Sequence, residues 1–199
     1  MVNLHVEDPI ALFSDWLADA KATKMEEPTA VALATATAEG VPSVRMVLLK
    51  GVDGRGFVFY TNLGSNKAAD LSENPQASFC MYHMSLRRQV RVNGWVEQVT
   101  GVEADAYFAS RPRESRIGAW ASKQSQIMED PRALEKRVAY FAVQYAAGEI
   151  PRPEFWSGYR LVPREIEFWT SRPFRLHERV RYVRHPDSGD PWRVERLFP

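Results

Sequence analysis

The chain has 199 residues, 26 basic and 25 acidic side chains and a formal net charge of +1, so its charge balance does not call for a nucleic-acid or anionic-membrane surface. This length is typical of one domain with a hydrophobic core, and we predict a single domain over residues 1–199. The apolar runs are too short to cross a bilayer, and MVNLHVEDP lacks the regions of a signal peptide, which predicts a soluble cytoplasmic protein. The single cysteine, Cys80, excludes an internal disulfide, and its neighbours Phe79 and Met81 predict a buried, inert thiol.

The first part of the chain is predicted to form one helix followed by strands. Asp8 is a good N-cap and Pro9 suits the first helical position, so the apolar spacing that follows predicts an amphipathic helix to about Ala22. Strand composition and short turns then predict three successive strands in an antiparallel meander. These strands are Thr29 to Thr37, Arg45 to Lys50 and Phe57 to Thr61, with turns at Glu39 and Gly40 and over Gly51 to Gly56.

The rest of the chain mixes helices with further strands. Ser65 is the candidate N-cap of a short helix that Pro75 ends, and Pro112 is expected to bend the chain between two helical segments. Two further helices are predicted, a short one from Val102 to Ser110 and a longer one from Pro131 to about Ala147. The further predicted strands are Pro75 to Met81, Arg87 to Val99, Gly158 to Val162, Ile166 to Trp169, Leu176 to Val183 and Trp192 to Leu197, with a turn around Pro186 to Pro191. Together these elements predict a mainly β, α+β fold, an antiparallel barrel with flanking helices.

The segment from Arg45 to Leu71 contains candidate anion-binding groups. Lys67 lies in the first turn of the helix after Ser65, where the helix dipole disfavours a cation unless an anion is bound. The helix N–H groups, the hydroxyls of Thr61 and Ser65 and this lysine therefore predict a phosphate site. The segment matches neither a Walker loop nor a GxGxxG fingerprint, and an ordinary capped helix after a hairpin is the alternative interpretation.

The same segment carries a resemblance to a known family. RMVLLK, FYTN and GSNKA, in this order and spacing, resemble the flavin-binding core of the pyridoxine (pyridoxamine) 5'-phosphate oxidase family. RRQVRVNG, YFASRPRESRIGAWASKQS, FWSGYRL and IEFWTSRPFRLHERVRY extend the resemblance from Asp8 to the C-terminus. It implies an FMN-binding split β-barrel and a homodimer with FMN at the interface, in which residues from both chains complete each site.

The resemblance implies the cofactor contacts residue by residue. They are Arg45, Met46, Val47, Leu48, Leu49, Lys50, Tyr60, Thr61, Asn66, Lys67, Gln89, Gln124, Ser125, Trp169 and Arg179. Arg45 and Lys67 would come from one subunit, and Gln89, Trp169 and Arg179 from the other. Asn66 departs from the pattern, because many relatives carry Arg there, and the loss of a bidentate guanidinium predicts weaker FMN binding.

Plainer interpretations of some of these residues remain open. Arg45 and Lys50 can both extend to solvent from the ends of a strand, and a period of two places them on opposite faces unless a bulge intervenes. The arginines around Gln89 are interpreted as a solvated strand face; they are Arg87, Arg88 and Arg91. Trp169 equally fits the barrel core.

The resemblance also implies a substrate site. Lys50, Tyr107, Arg111 and Ser115 would hold the substrate phosphate, although Tyr107 to Arg116 alone also fits a solvated basic turn. The substrates implied are pyridoxine 5'-phosphate and pyridoxamine 5'-phosphate, together with dioxygen.

Arg175 and His177 are implied to be the catalytic residues and to bind substrate. Two positions apart, they are predicted to share a strand face with Arg179, so that both can address one ligand. A single strand histidine is more often structural, which is the alternative. His5 and the other histidines, His83 and His185, form no clustered motif, and no metal site is predicted.

The implied function is FMN-dependent oxidation of either phosphorylated vitamer to pyridoxal 5'-phosphate. A hydride equivalent passes from the substrate C4' to flavin N5, and dioxygen reoxidises the flavin to give hydrogen peroxide. The alternatives are a phenazine-biosynthesis oxidase, which the four phosphate-binding residues disfavour, and a carrier of flavin, haem or product, which Arg175 and His177 disfavour. Only seven residues precede Asp8, without the Arg and Tyr of the family's N-terminal lid, which predicts weaker substrate retention unless the chain has been shortened.

Overall fold

The structure of the protein, a computed structural model, describes residues 7–184 and 192–199. In this part of the chain the helices are α1 (Pro9–Ala22), α2 (Asn66–Glu73), α3 (Gly101–Ser110), α4 (Arg113–Ala121) and α5 (Ala133–Gln144). The strands are β1 (Ala30–Ala36), β2 (Pro42–Leu48), β3 (Gly51–Asp53), β4 (Gly56–Asn62), β5 (Gln76–His83), β6 (Arg88–Gln98), β7 (Trp156–Thr170), β8 (Glu178–Val183) and β9 (Arg193–Leu197). The predicted turn around Pro186 to Pro191, His5 and His185 lie outside the described residues.

The described strands form one antiparallel sheet that curls around β7. The strand order is β2-β1-β5-β6-β7-β4-β3, β8 also pairs with β7, and β9 pairs with β8. One edge of β7 pairs with β6, while its other edge pairs first with β4, where Trp156 faces Asn62, and then with β8, where Trp169 faces Arg179. Because two strands share one edge of β7, the sheet divides there into a half-barrel, as predicted for this mainly β fold.

Helix α1 covers an apolar face of the sheet. Its amphipathic pattern buries Phe13 and Trp16, whose ring centroids lie 4.8 Å from Phe57 and 5.1 Å from Phe168. Both pairs meet edge to face, the arrangement that aromatic rings favour. Asp8 accepts a backbone N–H and caps the helix, so the predicted start and end of α1 are confirmed.

The predicted three-strand meander is wrong. β2 pairs with β1, but β4 pairs with β3 and with β7, a strand from the far end of the chain. Gly51 to Gly56 is also more than a turn, because Gly51–Asp53 forms β3 and the reversal lies at Gly54 and Arg55. Short turns suggest pairing between successive strands, whereas the partner of β4 is set by burial of both its faces, which local spacing does not reveal.

The two strands predicted at Gly158 to Val162 and Ile166 to Trp169 are one continuous strand, β7, which runs through Pro163. The register between β6 and β7 shifts beside Gly94, which lies opposite this proline. A Cβ atom at Gly94 would lie 2.0 Å from the carbonyl oxygen of Val162, so glycine permits this close approach. The bulge accommodates the missing N–H of the proline, so the strand continues through it.

The strand predicted from Leu176 to Val183 begins only at Glu178. Pro173–Arg175 forms a short 3₁₀ turn, in which Arg175 has a left-handed backbone with φ of 63°. His177 lies between this turn and β8. The shared strand face predicted for Arg175 and His177 is therefore wrong, because a proline without an N–H and a left-handed residue do not continue a ladder.

Helix α5 is shorter than the predicted Pro131 to Ala147, and none of its residues is buried. Leu134 and Val138, which the pattern placed on an apolar face, are 44% and 38% exposed.

In the part of the chain that the structure describes, no helix combines the length and apolarity needed to cross a bilayer.

Cys80 is half-buried in β5 rather than buried as predicted. Burial raises the pKa of its thiol, and the nearby Glu167 acts in the same direction while Arg91 opposes it. A raised pKa leaves less thiolate at neutral pH, which agrees with the prediction of an unreactive thiol.

Candidate active site

Strands β2 and β4, helices α2 and α4 and residues 122–125 surround a cavity of about 880 Å³. The predicted site residues that line it are Arg45, Met46, Val47, Leu48, Lys50, Tyr60, Thr61, Asn66, Lys67, Tyr107, Arg111, Ser115, Gln124 and Ser125. Leu49 is not one of them, because its side chain is 3% exposed within the hydrophobic core. Arg45 and Lys50 both line the cavity, and the period of two that would place them on opposite faces does not apply, because β2 ends at Leu48, before Lys50.

Lys67 is the central cation at one end of the cavity. Its buried Nζ donates to Thr61 Oγ1 at 3.0 Å, Ser65 Oγ at 3.2 Å and Gln124 Oε1 at 3.0 Å. None of these partners is a carboxylate, and no ion pair of Lys67 occurs within residues 7–184 and 192–199. Burial lowers the pKa of Lys67, and the nearby Arg45 lowers it further. A buried ammonium without a counter-ion is costly, and an anion in the cavity would remove that cost.

Ser65 occupies the N-cap position of α2 without the side-chain cap that was predicted. Its hydroxyl instead donates to the carbonyl oxygen of Asn62 at 2.7 Å and accepts from Lys67. The backbone N–H of Asn66 donates to Ser125 Oγ at 3.3 Å, which joins α2 to the loop after α4. Thr61, Ser65, Lys67 and the helix N-terminus therefore converge as the sequence predicted.

Arg45 reaches the same end of the cavity from β2. It donates to Thr35 Oγ1 at 2.6 Å and Ser43 Oγ at 2.7 Å, and lies 3.8 Å from the carboxylate of Asp70. Thr35 in turn donates to Asp70, so a hydroxyl separates the guanidinium from the carboxylate. Burial lowers the pKa of Arg45, and Asp70 partly offsets this effect. The arginine is therefore held in place while its charge is only partly compensated.

A second cationic group lies at the α3–α4 corner of the cavity. The Arg111 guanidinium carbon lies 4.8 Å from the ring centroid of Trp156 and 5.6 Å from that of Phe108. Its Nη1 atom is buried without a hydrogen-bond partner. Burial lowers the pKa of Arg111 and raises that of the adjacent Tyr107. A guanidinium with a free N–H edge is suited to an anion.

Three stacked rings line the cavity beside Arg111. The rings of Tyr60 and Tyr107 are stacked with centroids 4.0 Å apart, and Tyr60 and Trp156 are stacked at 5.3 Å. Burial raises the pKa of the Tyr60 hydroxyl, and the nearby Glu103 raises it further. Both tyrosines therefore stay neutral at physiological pH and offer hydroxyl groups to the cavity.

Other predicted site residues lie on a second part of the chain, away from this cavity. Gln89 of β6 faces Trp169 of β7, and Trp169 faces Arg179 of β8, so the three form one row across the sheet. Directly paired residues of antiparallel strands share a face. Arg179 donates to Glu167 at 2.7 and 3.1 Å, and this pairing raises its pKa. Trp169 is only half-buried, so it is not part of the core.

His177 joins this second group. Its ring centroid lies 4.6 Å from that of Trp169, and its Nδ1 accepts the backbone N–H of Arg172 at 3.2 Å. This hydrogen bond keeps Nδ1 unprotonated, so the neutral ring carries its proton on Nε2. Arg175, just before it, is exposed. Of the two predicted catalytic residues, only His177 is seen to adjoin Trp169, and neither lines the first cavity.

Among the site residues missed from the sequence, three act directly on the predicted cations. Trp156 lines the cavity and holds Arg111, while Thr35 and Asp70 hold Arg45. The strand pattern of β1 placed Thr35 beside buried residues, a signal that its hydroxyl needs a partner. No local pattern indicated the other contacts, which join distant parts of the chain.

The curled antiparallel sheet and its cation-lined cavity define this chain as a split-barrel protein of the flavin-binding class. A solved FMN-binding protein from Nostoc punctiforme PCC 73102, described as pyridoxamine 5'-phosphate oxidase-related, shares the fold with a TM-score of 0.74 at 18% identity, over 95% of this chain and 96% of its own. The chain belongs to the pyridoxamine 5'-phosphate oxidase family: residues 17–145 match the family model of that name. Residues 156–199 match the model described as the pyridoxine 5'-phosphate oxidase C-terminal dimerisation region.

Individual proteins that are similar to this chain support the same family assignment. Pyridoxine/pyridoxamine 5'-phosphate oxidase of Maricaulis maris is 58% identical over 97% of this chain and 86% of its own length. The protein of the same name from Brucella anthropi is 56% identical over 96% of this chain and 94% of its own. The crystal structure of PhzG from Burkholderia lata 383 with tetrahydrophenazine-1-carboxylic acid has a TM-score of 0.92 at 34% identity, over 98% of this chain and 95% of its own.

Proposed function

We propose that this protein is an FMN-dependent oxidase that converts pyridoxine 5'-phosphate and pyridoxamine 5'-phosphate to pyridoxal 5'-phosphate. One observation carries the proposal beyond family membership: a single cavity holds two separate groups of incompletely neutralised cations, one around Lys67 and one around Arg111. Two such groups suit two phosphates, that of the cofactor and that of the substrate.

The residues around Lys67 fit the FMN phosphate. Lys67 and Arg45 offer charged donors beside the N-terminus of α2, and the hydroxyl oxygens of Thr61 and Ser65 hold the Lys67 ammonium in place. The buried lysine lacks a carboxylate in the described part of the chain, so a phosphate dianion would supply its missing counter-ion. When bound, FMN accepts two electrons from the substrate and passes them to dioxygen.

The residues around Arg111 would hold the substrate phosphate. Lys50 and Arg111 supply positive charge, and Tyr107 and Ser115 supply hydroxyl donors from α3 and α4. Fixing the phosphate at this end orients the rest of the substrate along the cavity. The position of the bound phosphate thus decides which carbon of the vitamer lies against the cofactor.

The second group would reach the cavity from a partner subunit. Gln89, Trp169 and Arg179 lie in one row and adjoin His177, but none of them lines the cavity of their own chain. The match of residues 156–199 to a dimerisation region supports a homodimer in which each chain completes the other's site. In that arrangement Arg175 and His177 would together orient the substrate's C4' substituent for proton removal, His177 by donating a hydrogen bond from the Nε2–H that the backbone leaves free.

Phenazine-type oxidation is the second candidate, because the PhzG structure shares the fold at 34% identity. The relatives named pyridoxine/pyridoxamine 5'-phosphate oxidase are more similar in sequence, at 56% and 58%. Lys50, Tyr107, Arg111 and Ser115 also favour a phosphorylated substrate. Activity on a tricyclic phenazine precursor, without activity on either phosphorylated vitamer, would reverse this preference.

The proposal includes a single domain over residues 1–199 and a cytoplasmic location. The hydrophobic contacts of α1 with β4 and β7 join early and late parts of the chain, which supports one domain. The single cysteine has no disulfide partner in its own chain, which is compatible with a reducing compartment.

An anaerobic half-reaction tests this function. The protein is loaded with FMN, pyridoxine 5'-phosphate or pyridoxamine 5'-phosphate is added without oxygen, and the visible flavin absorbance is followed. We expect bleaching that air reverses, and a rate at least about a hundredfold lower in Arg175→Ala and His177→Ala, in the range for loss of a positioned acid–base group. Lys21→Ala, on the exposed surface of α1, is the control that should bleach normally.

The other outcomes are informative. An FMN spectrum that neither vitamer bleaches would contradict the oxidase function and favour a flavin carrier. Failure to hold FMN at all would contradict the assignment of the Lys67 end as a cofactor site.

A further inference from the structure

We propose that Trp156 is a positioning residue for the substrate phosphate: its ring holds the Arg111 guanidinium so that the N–H edge stays free for the anion. This inference rests on the proposed function, because it concerns the phosphate end of the same site. Trp156 belongs to neither group of residues that the family resemblance assigned.

The first support is the way Arg111 is held. Its guanidinium lies over the Trp156 ring at 4.8 Å and beside Phe108 at 5.6 Å, and no carboxylate pairs with it in residues 7–184 and 192–199. Its Nη1 is buried without a partner. Aromatic faces attract a cation without using its N–H groups, so the hydrogen-bonding edge remains available.

A second arginine of the same chain shows the contrasting arrangement. Arg160 is 3% exposed, and its guanidinium nitrogens lie 2.9 Å from Asp53, 2.8 Å from Glu103 and 3.8 Å from Glu97. These carboxylates neutralise Arg160 and occupy its donors, so it serves to join elements of the fold. No carboxylate in the described part of the chain neutralises the charge of Arg111, because an aromatic ring fixes its position instead.

The surroundings of Trp156 hold its ring in one position. It is 6% exposed at the start of β7, where it pairs with Asn62 of β4. Its ring meets Phe108 edge to face at 5.1 Å, and its carbonyl oxygen accepts from Arg152 at 2.7 Å. Backbone pairing and ring contacts together restrict its rotamer, so the ring surface offered to Arg111 is fixed.

The test measures binding of inorganic phosphate to FMN-loaded protein at constant ionic strength, by titration calorimetry. Loading with FMN occupies the Lys67 end, so the added phosphate reports on the Arg111 end. We expect Trp156→Leu to weaken phosphate binding about tenfold, and Trp156→Phe, which keeps an aromatic face, about threefold, within the range of cation–π contacts. The Michaelis constant for pyridoxine 5'-phosphate should rise in parallel, while kcat changes less.

A double-mutant cycle separates positioning from a general structural role. In an Arg111→Gln background, Trp156→Leu should weaken phosphate binding no further, because the group it positions is absent. FMN affinity should stay within about twofold of the parent protein throughout, since its phosphate lies at the Lys67 end. Should Trp156→Leu fail to fold, the Trp156→Phe variant and its Arg111→Gln partner complete the same cycle.

Two results would overturn the inference: unchanged phosphate affinity in the Trp156 variants, or effects that add fully to those of Arg111→Gln. Because phosphate binding requires no turnover, the test is independent of the oxidase reaction. A protein that oxidises neither vitamer but loses phosphate binding as described would contradict the proposed function and leave the role of Trp156 supported.

Discussion

Asn66 and Lys67 are neighbours at the start of α2, yet they meet opposite environments. Lys67 is 9% exposed and bonded to three side chains, whereas Asn66 is exposed at the rim of the cavity. The side chain at position 66 is therefore free to change without disturbing the interior. The side chain at position 66 therefore decides how many hydrogen-bond donors can reach an anion bound beside Lys67.

We predict that Asn66→Arg binds FMN about tenfold more tightly, because a guanidinium can form a bidentate pair with a phosphate. This gain corresponds to about 1.4 kcal/mol, near the lower end for hydrogen bonds to charged groups. Fluorescence quenching of FMN on titration with apoprotein measures the effect. Asn66→Gln adds length without charge and should bind FMN like the parent, and equal affinity of the Arg and Gln variants would refute the prediction.

The sequence predicted most of the charged and hydroxyl groups of the cavity, but not what holds them. Arg45, Lys67 and Arg111 stand in recognisable segments, so resemblance located them. Asp70 and Trp156 act on these cations from other elements: the hydrogen bond between Thr35 and Asp70, for example, joins residues 35 positions apart. Such contacts exist only after the sheet has formed, and no local period indicates them.

At the scale of elements, the approach of β4 to β7 shapes the aromatic wall of the cavity. Tyr60 of β4 faces Gly158 of β7, and a Cβ atom at Gly158 would lie 2.7 Å from the Tyr60 ring. The missing side chain leaves room for this ring to lie flat against Tyr107 and Trp156. Glycine at this position is therefore a requirement of the ring stack.

We predict that Gly158→Ala lowers the free energy of unfolding by about 1–3 kcal/mol, the usual cost of overpacking. Because the clash is with Tyr60, FMN affinity should fall as well. Urea denaturation and FMN titration measure the two effects. Gly101→Ala is the matched control, since a Cβ there meets no atom within 4 Å, and an equal loss in both variants would show that the clash is not the cause.

Element prediction succeeded where local chemistry decides the structure and failed where distant partners do. α1 has a capping Asp8, a first-turn proline and a regular apolar period, and its bounds were predicted correctly. β7 was predicted as two strands, whereas it is continuous through Pro163, which the bulge beside Gly94 accommodates. The 3₁₀ turn before β8 places His177 outside a strand, which only the backbone conformation of Pro173–Arg175 makes clear.

At the scale of the whole molecule, the proposed site is divided between two separate regions of one chain. The cavity holds the Lys67 and Arg111 groups, and the row through Trp169 holds His177. In a two-fold symmetric dimer each region would be present twice. Two complete sites would then form, each from one cavity and one row.

This division predicts complementation between inactive variants. Arg111→Ala alters the cavity and His177→Ala alters the row, so a mixed dimer of the two contains one unaltered site and one doubly altered site. Random pairing of equal amounts should restore about a quarter of the parent's activity. Oxidation of pyridoxine 5'-phosphate by the refolded mixture measures this.

The control mixes Arg111→Ala with Lys50→Ala, which alter the same region. No unaltered site can form from that pair if each cavity comes from one chain, so activity should stay at the level of the separate variants. Recovery in the control, or none in the first mixture, would contradict the shared site.

The ladder between β4 and β7 also constrains how the protein is made. The ion pair of Arg160 with Asp53 joins residues 107 positions apart, and Trp156 forms part of the cavity wall although most of that wall precedes it in the chain. During synthesis, the ribosome must therefore release the chain to β7 before the cavity can close. Non-local strand pairing folds slowly and leaves strand edges unpaired in the meantime. The cofactor thus has a closed cavity to enter only late in translation, so FMN must be available at that stage and afterwards.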